Sequence, residues 1–143
     1  MANDRLVNLL YYTDKDPLSQ PYLTDEQKAN LIFDKKIKIV PRIGPKEDAS
    51  SLISIRVTRA TTNPSNTEFK DLRIQIEVFV PLTQWYIKDT NLRPFMILGE
   101  IEESLKNKNI NGLGKMTGGD FDLNFLTDEI SAYEQTFWIT TYE

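Results

Sequence analysis

The sequence predicts an α+β fold: a small mixed, mainly antiparallel sheet of about five strands, with one main helix and short N-terminal helices packed on one face. Three observations carry that expectation. Leu72, Ile74, Ile76, Val78 and Val80 alternate with Arg73, Gln75 and Glu77, the period of two that sets one strand face on a core and the other in a polar setting. Phe79 alone breaks the polar row. After Pro81 the period changes, and Ile97, Leu98, Ile101 and Leu105 recur at helical spacing opposite Glu100, Glu102 and Glu103. Further alternating runs at 53–58, 121–125 and 133–141 supply other strands.

Taken in order, the chain opens with Leu6, Val7, Leu9 and Leu10 behind Asn3 and Asp4, either of which caps a short helix. Asp14 to Pro21 holds two prolines and reads as a loop. Thr24-Asp-Glu-Gln27 spells a capping box, which predicts a second short helix. Ile37, Ile39 and Ile43 alternate with Lys38 and Arg42 around Pro41, a position for proline that suits an edge strand or a bulge. Residues 44–51 form a turn or flexible loop. Ile53, Ile55 and Val57 then face one way, with Ser54, Arg56 and Thr58 on the other. Residues 60–68 are polar and read as the extended tip of a hairpin between two long strands, either a solvated loop or an assembly contact. After the helix, Asn107 to Gly119 supplies a glycine-rich stop. Phe121, Leu123 and Phe125 alternate with Asp120, Asp122 and Asn124, and Tyr133, Gln135, Phe137 and Ile139 with Glu134, Thr136 and Trp138. Residues 126–132 join these two runs, which are expected to pair antiparallel.

The 143 residues fit one domain, 1–143, with 40% hydrophobic and 27% charged residues. No apolar run approaches the ~20 residues that span a bilayer, and the N-terminus lacks the pattern of a signal peptide; the expectation is a chain made in the cytosol, with no membrane partner. Cys and His are both absent. That removes thiol and imidazole catalysis, Cys/His zinc sites and disulfides together. The net charge of −4 disfavours a protein whose main task is gripping nucleic acid.

Several motifs fail on inspection. Gly112-Leu-Gly-Lys115-Met evokes a phosphate loop, but the fingerprint needs Gly at 109 and Ser or Thr at 116, where Asn and Met stand. Asp120-x-Asp122-x-Asn124 opens like a calcium loop, but Phe125 replaces its glycine and Ser131 its final carboxylate. Asp71 and Glu77 share strand parity and raise a metal-dependent nuclease as the enzymatic alternative, although Phe79 occupies the place expected for a lysine. Trp85, Tyr86, Trp138 and Tyr142 are read as core or partner contacts, because no Lys/Arg clusters interleave with them for base stacking. No catalytic residue, cofactor or metal is expected.

In order and spelling the chain resembles the small α+β neck and tail-completion proteins of tailed bacteriophages, most closely the tail terminators. The residues that carry the resemblance are Ile76 to Leu82, Trp85, the Arg-Pro-x-x-Ile-Leu-x-x-Ile helix from Arg93 to Leu105, Gly112 to Lys115, and Tyr133 to Ile139. The resemblance implies a virion structural protein. It would form a ring, usually hexameric, at the head–tail neck, capping the tail tube, ending its polymerisation and joining it to the head. Its implied partners are copies of itself, the tube protein and a head-completion or connector protein, with DNA only passing through the lumen. Another neck connector is the alternative role. The implied contact residues lie in the two loops, Lys46, Glu47, Thr61, Thr62, Asn63, Ser65 and Asn66, with Trp85 and Tyr86 beside them.

Overall fold

The computed structural model describes residues 3–32, 35–39, 51–62, 69–106 and 115–142. The fold is α+β. Helix α1 (Asp4–Tyr11), helix α2 (Asp25–Leu31) and strand β1 (Ile37–Lys38) precede the long hairpin of β2 (Leu52–Thr62) and β3 (Phe69–Pro81). A small ribbon of β4 (Tyr86–Ile87) and β5 (Asn91–Leu92) leads into helix α3 (Arg93–Leu105). A second hairpin, β6 (Met116–Leu126) and β7 (Ile130–Tyr142), closes the chain. The main sheet has the order β1-β2-β3-β7-β6, with β1 parallel to β2 and every other pair antiparallel. Among the described residues strand β1 therefore sits at one edge of the sheet; Pro41 and Ile43, expected to continue an edge strand or bulge, lie outside the described residues.

Local chemistry explains the helices. The Asn3 side chain accepts from the Leu6 N–H at 3.0 Å and caps α1. Thr24 and Gln27 form the reciprocal capping box of α2, whose own residues are all at least partly exposed. Pro94 stands in the first turn of α3, where its missing N–H costs nothing. The helices pack on one face of the sheet: Leu6, Leu9 and Leu10 of α1 and Ile97, Leu98 and Ile101 of α3 join Ile53, Ile76, Val78, Val80, Phe137 and Ile139 in one dry core.

Arg93 locks this layer in place. Its side chain is fully buried, and its guanidinium donates to four backbone carbonyls: Gln84 O at 2.8 Å, Leu9 O at 2.5 Å, Tyr12 O at 2.8 Å and Asp14 O at 2.7 Å. Two of these carbonyls, Leu9 and Tyr12, belong to the C-terminal end of α1, where a cation also favours the helix dipole. Burial pushes the Arg93 pKa down, while the nearby Asp14 charge pulls it up. One side chain thus ties α1, the loop after it, the turn before Trp85 and the start of α3.

Several sequence expectations are corrected. Ala60, Thr61 and Thr62 belong to β2 rather than to a loop, because they continue its ladder opposite Leu72, Asp71 and Lys70. Residues 116–119 are strand, and only Thr127 to Glu129 separate β6 from β7. Glu77 keeps to the expected polar face, but that face is not solvent there. It is 2% exposed, paired with Arg56 and capped by the Asn124 amide. Phe79 anchors a second, smaller cluster with Leu52, Ile130 and Ala132 on the face away from the helices. Val57 shares the inward parity of Ile53, yet it is 61% exposed.

Candidate functional site

An exposed apolar surface lies along β6. This strand pairs with β7 on one side, and among the described residues nothing pairs with its other side. An unpaired edge leaves a row of N–H and C=O groups available to another chain. Apolar side chains flank that row: Phe121 is 44% exposed, Leu123 51% and Leu126 57%. Phe121 belongs to an aromatic cluster with Tyr133, Phe95 and Trp85. Their ring centroids lie 5.9 Å (Phe121–Tyr133), 5.9 Å (Phe121–Phe95), 5.3 Å (Phe95–Tyr133) and 6.2 Å (Phe95–Trp85) apart. The shelf is supported from below, since the Trp85 indole donates to Ser131 Oγ at 2.9 Å and Ser131 in turn donates to Val80 O.

Two bulges aim these side chains. The register of β6 against β7 slips between Gly118 and Asp120 and again between Leu123 and Phe125. The first slip turns Phe121 and Leu123 to the helix side and sends Asp120 and Asp122 to the opposite face. Gly118 and Gly119 make it possible with φ of 102° and 109°, a region that L side chains rarely enter. A Cβ on Gly118 would come within 2.7 Å of Thr136 O. The second slip turns Phe125 away from Phe121 and Leu123, against the sequence expectation, and sets its ring 6.1 Å from that of Phe79 at a tilt of 57°. A glycine pair inside an alternating run is the signal that marks such a bulge.

On the face away from the helices, the sheet carries opposite charges at its two ends. Arg56 and Arg59 lie on β2, and Arg59 stands directly opposite Arg73 of β3. Asp122 of β6 stands opposite Glu134, which stands opposite Glu77. Arg56 reaches across to Glu77 at 3.3 Å and Glu134 at 2.8 Å, which satisfies the central acids. Asp120 and Asp122 remain exposed beyond them.

The expected contact residues fall into three groups. Thr61 and Thr62 lie at the end of β2, Trp85 belongs to the aromatic cluster, and Tyr86, 71% exposed, follows it in β4. Lys46, Glu47, Asn63, Ser65 and Asn66 lie outside the described residues, as does most of the Gly112 to Lys115 turn. Trp138 is 41% exposed on the other face, with the Arg73 guanidinium 5.9 Å above its ring. The carboxylates considered for metal chemistry do not converge, since Asp71 and Glu77 stand six positions apart on one strand, about 20 Å. Among the described residues, no group of three or more acidic side chains is placed to hold a metal ion, and no helix is long and apolar enough to cross a membrane.

No curated protein matches the chain. A family model does match, over residues 3–137, and the chain belongs to that family, the phage-derived YomW family.

Proposed function

We propose that the chain is a structural component of a phage particle: a ring-forming protein of the head–tail neck that caps the tail tube, ends its polymerisation and joins it to the head. The observation that carries this reading is the unpaired β6 edge beside the exposed side chains of Phe121, Leu123 and Leu126. Monomeric proteins rarely leave an apolar patch beside an open strand, because it invites pairing. A building block uses the same arrangement to bind its neighbours. The phage origin of the family and the resemblance to tail terminators support the setting.

In this reading a heterologous contact closes into a ring, and the ring seats on the last tube layer while presenting a different far face to the head. The net charge of −4 keeps DNA from adhering as it passes through the lumen. Assembly takes place in the host cytoplasm, and the product resides in the virion. A role as another neck connector rests on the same surface and differs only in which layer it touches.

Size-exclusion chromatography with light scattering and negative-stain imaging test the reading. Closed oligomers are expected, alone or on tube ends, and tubes grown in their presence should stop at a defined length. A chain that stays monomeric beside assembled tubes and connectors would sink the proposal. Mg²⁺-dependent DNA cleavage lost in Asp71→Asn/Glu77→Gln would replace it with the nuclease alternative.

A further inference from the structure

We propose that the unpaired side of β6 receives an extended protein segment in which basic and apolar residues alternate, added to the sheet as a further strand opposite Asp120–Leu123. The proposal rests on the reading of the chain as an assembly component, and it gives the edge that carries that reading the chemistry of its partner.

The backbone supplies the first half of the argument. Among the described residues β6 has one unpaired side, and an added strand satisfies the N–H and C=O groups of such a side. Asp120 to Leu123 is the stretch of β6 between its two register slips, where pairing is regular and side chains alternate strictly. Lys115 stands ahead of the first slip, outside that stretch.

The side chains supply the second half. Asp122 stands opposite Glu134, and Glu134 stands opposite Glu77, so a row of carboxylates crosses β6, β7 and β3 on the face away from the helices. Arg56 reaches the inner members of the row, Glu77 at 3.3 Å and Glu134 at 2.8 Å. Asp122 at its outer end is exposed and has no ion pair among the described residues, and the same holds for Asp120. A cation arriving beside β6 therefore meets excess negative charge. On the other face of the strand Phe121 is 44% and Leu123 51% exposed, and the rings of Phe95 and Tyr133 back Phe121 at 5.9 Å.

An added strand places successive side chains on alternate faces. Its residues fall in turn beside an aspartate and beside an apolar side chain, and alternation of basic with apolar residues satisfies both. The β6 strand of a second copy would bring further aspartates to the acidic row, which is destabilising. A helix would present the wrong period and leave the backbone row unpaired.

The test uses the full-length chain and a capped peptide of alternating lysine and valine, with binding read by fluorescence anisotropy at low salt. A block peptide of the same composition keeps the charge and loses the alternation. An N-methylated version keeps the side chains and loses the strand-pairing N–H groups. Both should bind about tenfold more weakly than the alternating peptide. Asp120→Lys/Asp122→Lys, at exposed positions, should lose about tenfold in affinity for the alternating peptide and prefer one of alternating glutamate and valine. Equal binding of the block or N-methylated peptide reduces the interaction to charge alone and overturns the proposal. Undiminished affinity in the variant overturns it too, as does a wild type that binds none of the peptides. Thermal melts confirm folding. Should the variant melt early, Asp120→Asn/Asp122→Asn replaces it, with a loss of about threefold expected and unchanged affinity rejecting the site. Light scattering of the same samples separates this proposal from the ring reading. Closed oligomers that ignore the peptide overturn the strand site and leave the ring standing, whereas a monomer that binds it with the stated preferences defeats the ring and leaves the site standing.

Discussion

One face of one sheet is finished in two ways. Under α1 and α3, Ile76, Val78, Val80 and Phe137 are at most 1% exposed. Two strands away, on the same face, Phe121 and Leu123 are about half exposed. A single rung shows the contrast, running from Val78 at 0% through Tyr133 to Leu123 at 51%. The side chains are of one kind and the parity is the same. What differs is how far the helices reach: α3, its start fixed by the four backbone hydrogen bonds of Arg93, packs on β3 and meets β6 only in part, through Phe95 at Phe121 and Glu102 at Gly119. An apolar face is therefore a statement about what a strand is able to bury. Whether the chain itself covers that face depends on where a helix is seated.

The largest effect should come from loosening that seat. Arg93→Met removes the donors and leaves two buried carbonyls, of Leu9 and Gln84, and two part-buried ones, of Tyr12 and Asp14, without them, with an expected loss of about 3–5 kcal/mol measured by urea unfolding. A loss under 1 kcal/mol would show that the helices hold without it. A smaller, paired effect comes from the Val78 rung. Val78→Ala should cost about 2 kcal/mol through lost burial and a cavity, whereas Leu123→Ala should stay within about 0.5 kcal/mol while shifting sizing profiles toward the monomer. Equal costs at the two positions would erase the contrast. An effect smaller than that of Val78→Ala is expected at the bulge. Gly118→Ala forces a Cβ against Thr136 O in a left-handed conformation, and about 1 kcal/mol or more of destabilisation is expected. A neutral result there would mean that the strand accepts another register, and with it another set of exposed side chains.

Much of the fold is legible in the chain as written. The period of two at 72–80 and the helical period at 97–105 predict β3 and α3, and Asn3 and the Thr24–Gln27 box predict two helix starts. These signals are local: they come from alternation of side chains and from capping groups three residues apart. The fate of Glu77 is not legible. Its alternation with apolar neighbours predicts a polar face and says nothing of burial, which Arg56 and Asn124, brought beside it by the register, make tolerable. Phe125 departs from its expected face for a related reason, since one extra residue in β6 reverses the parity of all that follows.

The sequence by itself determined the element types, most of their order, and the absence of Cys and His with the chemistries they support. The tertiary structure alone decided how much of the sheet is covered, how Arg93 is satisfied, and that among the described residues β6 has one unpaired side, with exposed acids along it. The physical reason is range. Periodicity and caps act within a few residues, whereas coverage, register and charge placement are set by contacts between segments far apart in the chain.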